Sequence, residues 1–140
     1  MSSQIGNADT PMPRVLLDTH AFLWWLDGDK RLSRKARRLI SSERNEILIS
    51  AVSVWEITTK ARLSKLPHAG DVAADVPATI ISQGFTRLAI TAEHAQVAGT
   101  LPGSHRDPFD RMLAAQARQE RVPLVSLDEV FDMFAVERLW

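Results

Sequence analysis

A chain of 140 residues, 45% hydrophobic and 24% charged, can bury one real core but not two. Its 17 basic and 17 acidic residues cancel, which excludes nucleic-acid binding by bulk charge and leaves only a local patch or a partner's charge for that purpose. The absence of cysteine excludes disulfides and thiolate metal sites. No apolar run approaches the roughly 20 residues a membrane span needs. Residues 1–12 lack the apolar stretch of a secretory signal and read as a disordered tail ahead of a single domain over 13–140, with Met12 a possible natural start. A cytoplasmic location fits this composition.

In chain order, Arg14 to Leu17 is short, branched and apolar, and predicts a buried strand. Residues 19–26 turn helical, and Asp27-Gly28-Asp29 ends that helix. Trp24 and Trp25 cannot share one face of it, so one suits the core and the other a groove for a partner. Ser33 caps a helix running to about residue 44, with Ala36, Leu39 and Ile40 inward and Arg34, Arg37 and Arg38 on a solvated face. Residues 46–49 form a second strand, followed by a helix over about 52–63. Residues 71–83 read as a helix interrupted by Pro77 and stopped by Gly84. A short strand over 86–90 precedes a helix from Thr91 to near residue 99. Asp107 caps a long helix to residue 120, with Pro108 in its first turn. Residues 122–127 predict a strand, and 134–139 a last one. Strands alternating with helices predict an α/β fold with a mainly parallel central sheet.

Four carboxylates stand where an apolar run ends or a helix begins. They are Asp18 after Val15-Leu16-Leu17, Glu56 in Ser53-Val54-Trp55-Glu56, Asp110 in Asp107-Pro108-Phe109-Asp110, and Asp128 after Leu124-Val125-Ser126-Leu127. Ligands of open parallel sheets gather outside the carboxyl ends of the strands. Asp18 and Asp128 lie just past two such ends, and Glu56 and Asp110 fall in first turns of helices that can face the same edge. Acids held together at a core edge repel one another, and partial burial disfavours their ionised form. A divalent cation with oxygen ligands, Mg2+ or Mn2+, removes both penalties. Thr19, Ser53 and Ser126 offer hydroxyls to orient the carboxylates.

Each acid alone also has a structural explanation. Ser53 to Glu56 fits a capping box, and Glu56 can pair with Lys60 one turn on. Asp107 is a good N-cap, Asp110 suits the helix dipole, and Asp18 and Asp128 can each cap a short helix starting just after them. Only the conjunction of all four favours a site. The four histidines show no metal-ligand spacing. Lys60, Arg62 and Lys65 form a basic stretch close in sequence to Glu56, and His105-Arg106 lies next to Asp107, placed to touch substrate.

The set Leu16-Leu17-Asp18-Thr19-His20, Ser53-Val54-Trp55-Glu56, His105-Arg106-Asp107-Pro108-Phe109-Asp110-Arg111 and Leu124-Val125-Ser126-Leu127-Asp128 closely resembles the PIN-domain ribonucleases. Within them it resembles the VapC-type toxins of bacterial toxin–antitoxin pairs, from about residue 14 to the end. The resemblance implies a three-layer α/β/α domain and an acidic metal site of Asp18, Glu56, Asp110 and Asp128. It places Asp107 as a support behind those ligands, alongside the hydroxyls of Thr19, Ser53 and Ser126, and Lys60, Arg62, Arg106 and Arg111 are the basic residues expected toward substrate. It further implies Mg2+ or Mn2+ as cofactor, single-stranded or loop RNA as the substrate hydrolysed by a metal-activated water, a homodimer, and inhibition by a cognate antitoxin. Ser126 stands where many relatives carry threonine, which keeps the hydroxyl.

Other phosphotransfer enzymes fit less well. A haloacid-dehalogenase-like phosphatase needs a second Asp two residues after the first, where this chain has His20. A receiver domain needs paired acids at the first strand. A DNA-directed nuclease on the same fold, and a catalytically weak module that binds RNA or an antitoxin, remain as alternatives.

Overall fold

The computed structural model of the chain describes residues 13–66 and 69–140. The expected tail over 1–12, with Met12, and also His68 lie outside the described residues. Five strands form one sheet: β1 (Arg14–Leu17), β2 (Glu46–Ser50), β3 (Thr86–Leu88), β4 (Leu124–Val125) and β5 (Arg138–Leu139). Their order is β3-β2-β1-β4-β5, and every neighbouring pair is parallel. β1 is therefore central, and the chain switches sides there, building β2 and β3 on one flank and β4 and β5 on the other. Among the described residues, no helix is long and apolar enough to cross a membrane.

The strands read as continuous apolar runs because both faces are covered. Val15 and Leu17 of β1, Ile47 and Ile49 of β2 and Val125 of β4 point to one core. They meet there α1 (Thr19–Asp27), α2 (Arg34–Ser41) and α5 (Val76–Ser82) through Phe22, Ala36 and Ile80. Leu16, Leu48 and Leu124, one residue out of phase, point to the other core. That face is closed by α6 (Ala92–Thr100), α7 (Pro108–Glu120) and a 3₁₀ turn (Glu129–Phe134), through Ala98, Leu113, Phe131 and Phe134. α3 (Ala51–Arg62) follows β2 and contributes Ile57 to the first core and Val52 to the second. The three-layer α/β/α arrangement follows from this period-two partition of the strands.

The helices begin where local chemistry places their caps. Asp18, Ser33 and Asp107 each accept a backbone N–H of the first turn. Gly28 ends α1 at φ 61°, a left-handed conformation that glycine adopts without strain.

Five boundaries differ from expectation, one being the strand expected over 86–90, which ends at Leu88. α2 stops at Ser41, three residues early, because Ser42 leaves the helical conformation at ψ 122°. The helix expected over 71–83 is two helices, α4 (Gly70–Ala74) and α5. The break falls at Asp75 (φ −156°, ψ 79°), whose carboxylate caps α5 through the Ala78 amide at 3.1 Å, so Pro77 opens the second helix rather than interrupting one. The strand expected over 122–127 is two residues long. The strand expected over 134–139 is only β5: Phe134 ends the 3₁₀ turn, buried in the second core, and Ala135 at φ 57° redirects the chain.

Candidate active site

Past β1, Asp18 makes three backbone-directed bonds. Its amide donates to the Val125 carbonyl at 3.1 Å, carrying the β1–β4 ladder one step beyond the strand. Its carbonyl accepts the Phe22 amide at 3.1 Å, and its Oδ1 accepts the Ala21 amide at 2.8 Å. The residue is only 6% exposed. Burial pushes the carboxyl up to about 6; hydrogen bonds from Ser126 and the Ala21 amide and the charge of His20 oppose the rise, and the charge of Asp110 adds to it.

Glu56, 4% exposed, lies in the second turn of α3. The cap of α3 is Ser50, whose hydroxyl accepts the Val52 amide at 2.9 Å, so Ser53 and Glu56 stand inside the helix and form no capping box. The Glu56 carboxylate instead accepts the Thr19 hydroxyl at Oε1 (2.5 Å) and pairs with the Lys60 ammonium at Oε2 (2.5 Å). Ser53 Oγ lies 2.9 Å from the Thr19 oxygen. Thr19 has one proton, which serves the carboxylate, and the Ser53 hydroxyl fills the threonine lone pair. A chain of two hydroxyls thus joins the start of α1 to α3.

Asp110 sits in the first turn of α7, its Oδ2 2.8 Å from His105 Nε2. Burial raises its pKa; the His105 hydrogen bond opposes that, and the charges of Asp107 and Glu56 add to it. Asp107 caps α7, accepting the amides of Phe109 (2.9 Å) and Asp110 (3.3 Å). Ligand atoms of His105, Asp107 and Asp110 all lie within 4.8 Å of one another. Among the described residues that trio alone meets at this spacing; Asp18 and Glu56, from other segments, fall outside it and are linked to Asp110 through charge, Asp110 raising Asp18 and Glu56 raising Asp110. Asp128 stands at the rim. It is exposed, caps the 3₁₀ turn through the Val130 amide at 3.0 Å, and is tied inward only through Ser126, whose Oγ accepts its amide at 3.0 Å.

This donor set suits a small divalent cation. The ligands on offer are carboxylate oxygens with one imidazole, and both the burial of Asp18 and the mutual repulsion at Asp110 are relieved by added positive charge.

The basic candidates divide. Lys60 is at the site, held on Glu56, while Arg62 and Arg106 are exposed. Arg111, expected to reach substrate, is committed elsewhere. Its guanidinium donates to the carbonyls of Ala98 (3.1 Å), His105 (3.1 Å) and Leu101. These include carbonyls at the end of α6 that have no helical partner, so Arg111 braces the loop between α6 and α7. In the sequence His105 stands beside Asp107 as a candidate substrate contact; its pairing with Asp110, five residues on across the start of α7, is shown only by the structure. Trp24 and Trp25 both pack against the first core, and Trp24 also lines a cavity of about 180 Å³ with His20 and Arg31.

Comparison with known proteins agrees with this architecture. Ribonuclease VapC16 of Mycobacterium tuberculosis (strain ATCC 25618 / H37Rv) is 38% identical over 60 residues, a stretch that spans 43% of this chain and 43% of that one. The fold is similar to that of VapC20 from Mycobacterium tuberculosis, described as a sarcin–ricin loop cleaving toxin. There the TM-score is 0.63 at 19% identity, covering 87% of this chain and 95% of the other. It is also similar to a chain of a toxin–antitoxin complex from Klebsiella pneumoniae (TM-score 0.59, 15% identity, 90% and 96% coverage). The PIN domain family model matches residues 15–137. Matched over that span, which takes in all four predicted carboxylates, the chain belongs to the PIN domain family.

Proposed function

We propose that this chain is a metal-dependent endoribonuclease, the toxin of a toxin–antitoxin pair, and that it hydrolyses RNA phosphodiester bonds at the Asp18–Glu56–Asp110 centre. One observation carries the reading: Asp18 is buried beside Asp110, its carboxyl raised to about 6, at the sheet's switch point. Perturbed carboxyls of this kind cluster at functional sites, and a bound cation offsets the cost of holding them.

Asp18, Glu56 and Asp110 would hold Mg2+ or Mn2+, with Asp107 and Asp128 supporting from behind and from the rim. A bound ion supplies charge for the phosphoryl oxygens and lowers the pKa of an attacking water. The chain's own groups do the positioning. Thr19, backed by Ser53, fixes one oxygen of Glu56, and Lys60 screens the other. Ser126 and the Ala21 amide fix Asp18, and His105 fixes Asp110. Arg62 and Arg106, both exposed, are available to the phosphate backbone.

The ribonuclease and toxin names of similar proteins support this reading, and the complex from Klebsiella pneumoniae supports an antitoxin as partner. The family resemblance extends the proposal to a homodimer working in the cytoplasm.

The test is incubation of the purified protein and its Asp18→Asn variant with total cellular RNA, in Mg2+, in Mn2+ and in EDTA. Discrete metal-dependent fragments, lost in the variant, are expected. Equal inactivity of two folded proteins under every metal sinks the nuclease and favours a binding module. Cleavage of DNA but not RNA corrects the substrate.

A further inference from the structure

Trp24, Trp25 and Trp140 all pack against the first core, whereas Trp55 belongs to neither core cluster. It is 57% exposed. It immediately precedes Glu56, as Phe109 immediately precedes Asp110, and the two rings meet edge to face with centroids 4.9 Å apart and planes at 75°. Phe109 is anchored in the second core, so it fixes Trp55 between α3 and α7 at the shoulder of the acids. Lys60 lies 6.0 Å from the Phe109 ring centre.

The charge balance says what such a surface is for. With 17 basic and 17 acidic residues, and carboxylates gathered at its centre, the chain offers a polyanion little bulk attraction. A strand brought to these acids needs holding by something other than its phosphates. An aromatic face supplies that to any base able to leave its duplex.

We propose that Trp55, propped by Phe109, is a stacking platform for an unpaired RNA base adjoining the scissile phosphate. The inference rests on the nuclease reading and its single-stranded or loop RNA substrate, and adds to it the residue that holds the base, Trp55, and the means, stacking on an exposed ring.

The experiment measures the affinity of a fluorescent 12-nucleotide single-stranded oligoadenylate and of the same ribose-phosphate strand without bases. Both are titrated, with Mg2+, into the full chain carrying Asp18→Asn to prevent cleavage. Adding Trp55→Ala is expected to weaken the oligoadenylate by roughly 5- to 100-fold, the range for losing one base–aromatic stack. It leaves the abasic strand unchanged. Trp55→Phe keeps most of the affinity, and Ile81→Ala, which removes an equally exposed apolar side chain (59%) elsewhere, changes nothing. Melting curves confirm that each variant is folded.

Three results overturn the proposal. They are an unchanged affinity in Trp55→Ala, an equal loss for the abasic strand, or no measurable binding of the oligoadenylate. If Trp55→Ala instead halves the mass in solution while RNA affinity holds, this face joins two copies of the chain. Cleavage of total RNA by the unmutated protein separates the two readings. Metal-dependent cleavage together with any of those three results removes the platform alone, whereas no cleavage removes the nuclease and the platform with it.

Discussion

Arg14 opens β1 and Asp18 follows its last residue, so one short strand separates two groups of acids that the fold treats in opposite ways. At the Arg14 end, the guanidinium lies 3.5 Å from Glu46 and 3.2 Å from Glu120. Glu120 also meets His94 Nε2 at 2.9 Å. The other nitrogen of that buried imidazole accepts the Thr91 amide in a capping box, so the proton sits on Nε2 and is donated to the carboxylate. The His94 hydrogen bond, with help from Arg14, holds Glu120 below the usual carboxylate range. At the Asp18 end, burial and mutual repulsion raise both Asp18 and Asp110. The difference teaches where the fold holds itself together and where it waits for a ligand. Acids that serve the scaffold come with their cations, and acids gathered at the switch point lack enough of them.

The two ends should therefore give opposite pH dependences. A carboxyl raised in the folded state binds its proton more tightly there than in the unfolded chain. Its contribution is favourable in acid and declines as the pH rises from about 4 to about 6, the ordinary and folded values for Asp18. Glu120 is lowered, so its contribution is present at neutral pH and is lost as the pH falls into the acid range.

The largest expected effect breaks the Asp18 end. In EDTA at pH 7.5, Asp18→Asn is expected to stabilise the fold by up to about 3 kcal/mol, the linkage value of a shift of this size, or several degrees in Tm. Asn keeps a carbonyl to cap α1 and carries no charge. Melting curves from pH 4 to 8 should show the decline between about pH 4 and 6 in the unmutated protein and its loss in the variant. A variant that melts lower at every pH would mean that Asp18 is chiefly a cap.

Somewhat smaller is the gain from filling the site. Mg2+ or Mn2+ at about a hundred times its Kd is expected to add about 2.7 kcal/mol at pH 7.5. About half of that gain should vanish at about pH 5, where Asp18 is largely protonated and must release its proton to bind. Differential scanning fluorimetry at the two pH values reads both numbers, and an equal shift in acid would place the ion elsewhere.

Arg14→Ala attacks the opposite end. The pairs are partly exposed, so the expected loss is about 1 kcal/mol at neutral pH. It should shrink in acid as Glu120 protonates, and the cation-induced shift should be untouched. Loss of that shift would show that the two ends are coupled. The smallest effect is expected from Ser126→Ala, which removes a hydrogen bond to Asp18 and so pushes its carboxyl higher still. The midpoint of the pH dependence in EDTA should move upward with a stability change under about 1 kcal/mol.

What the sequence determined by itself lies within one or two turns of chain. The caps at Asp18, Ser33 and Asp107, the opening of α7 at Pro108 and the alternation of apolar runs are local effects, and each is observed where it was expected. The acids also stood out, because a carboxylate beside an apolar run is unusual however the chain folds. Tertiary structure decided who meets whom. The Thr19–Glu56 bond closes 37 residues and the Arg14–Glu120 pair 106, and nothing local says that Glu120 will find a guanidinium while Asp18 will not. The assignment of Arg111 to three carbonyls, the joining of His105 to Asp110 and the exposure of Trp55 arise in the same way. Each depends on how α3, α6 and α7 pack across the sheet. Local propensity sets which way a segment coils, but the free energy of a charge is fixed by everything packed around it.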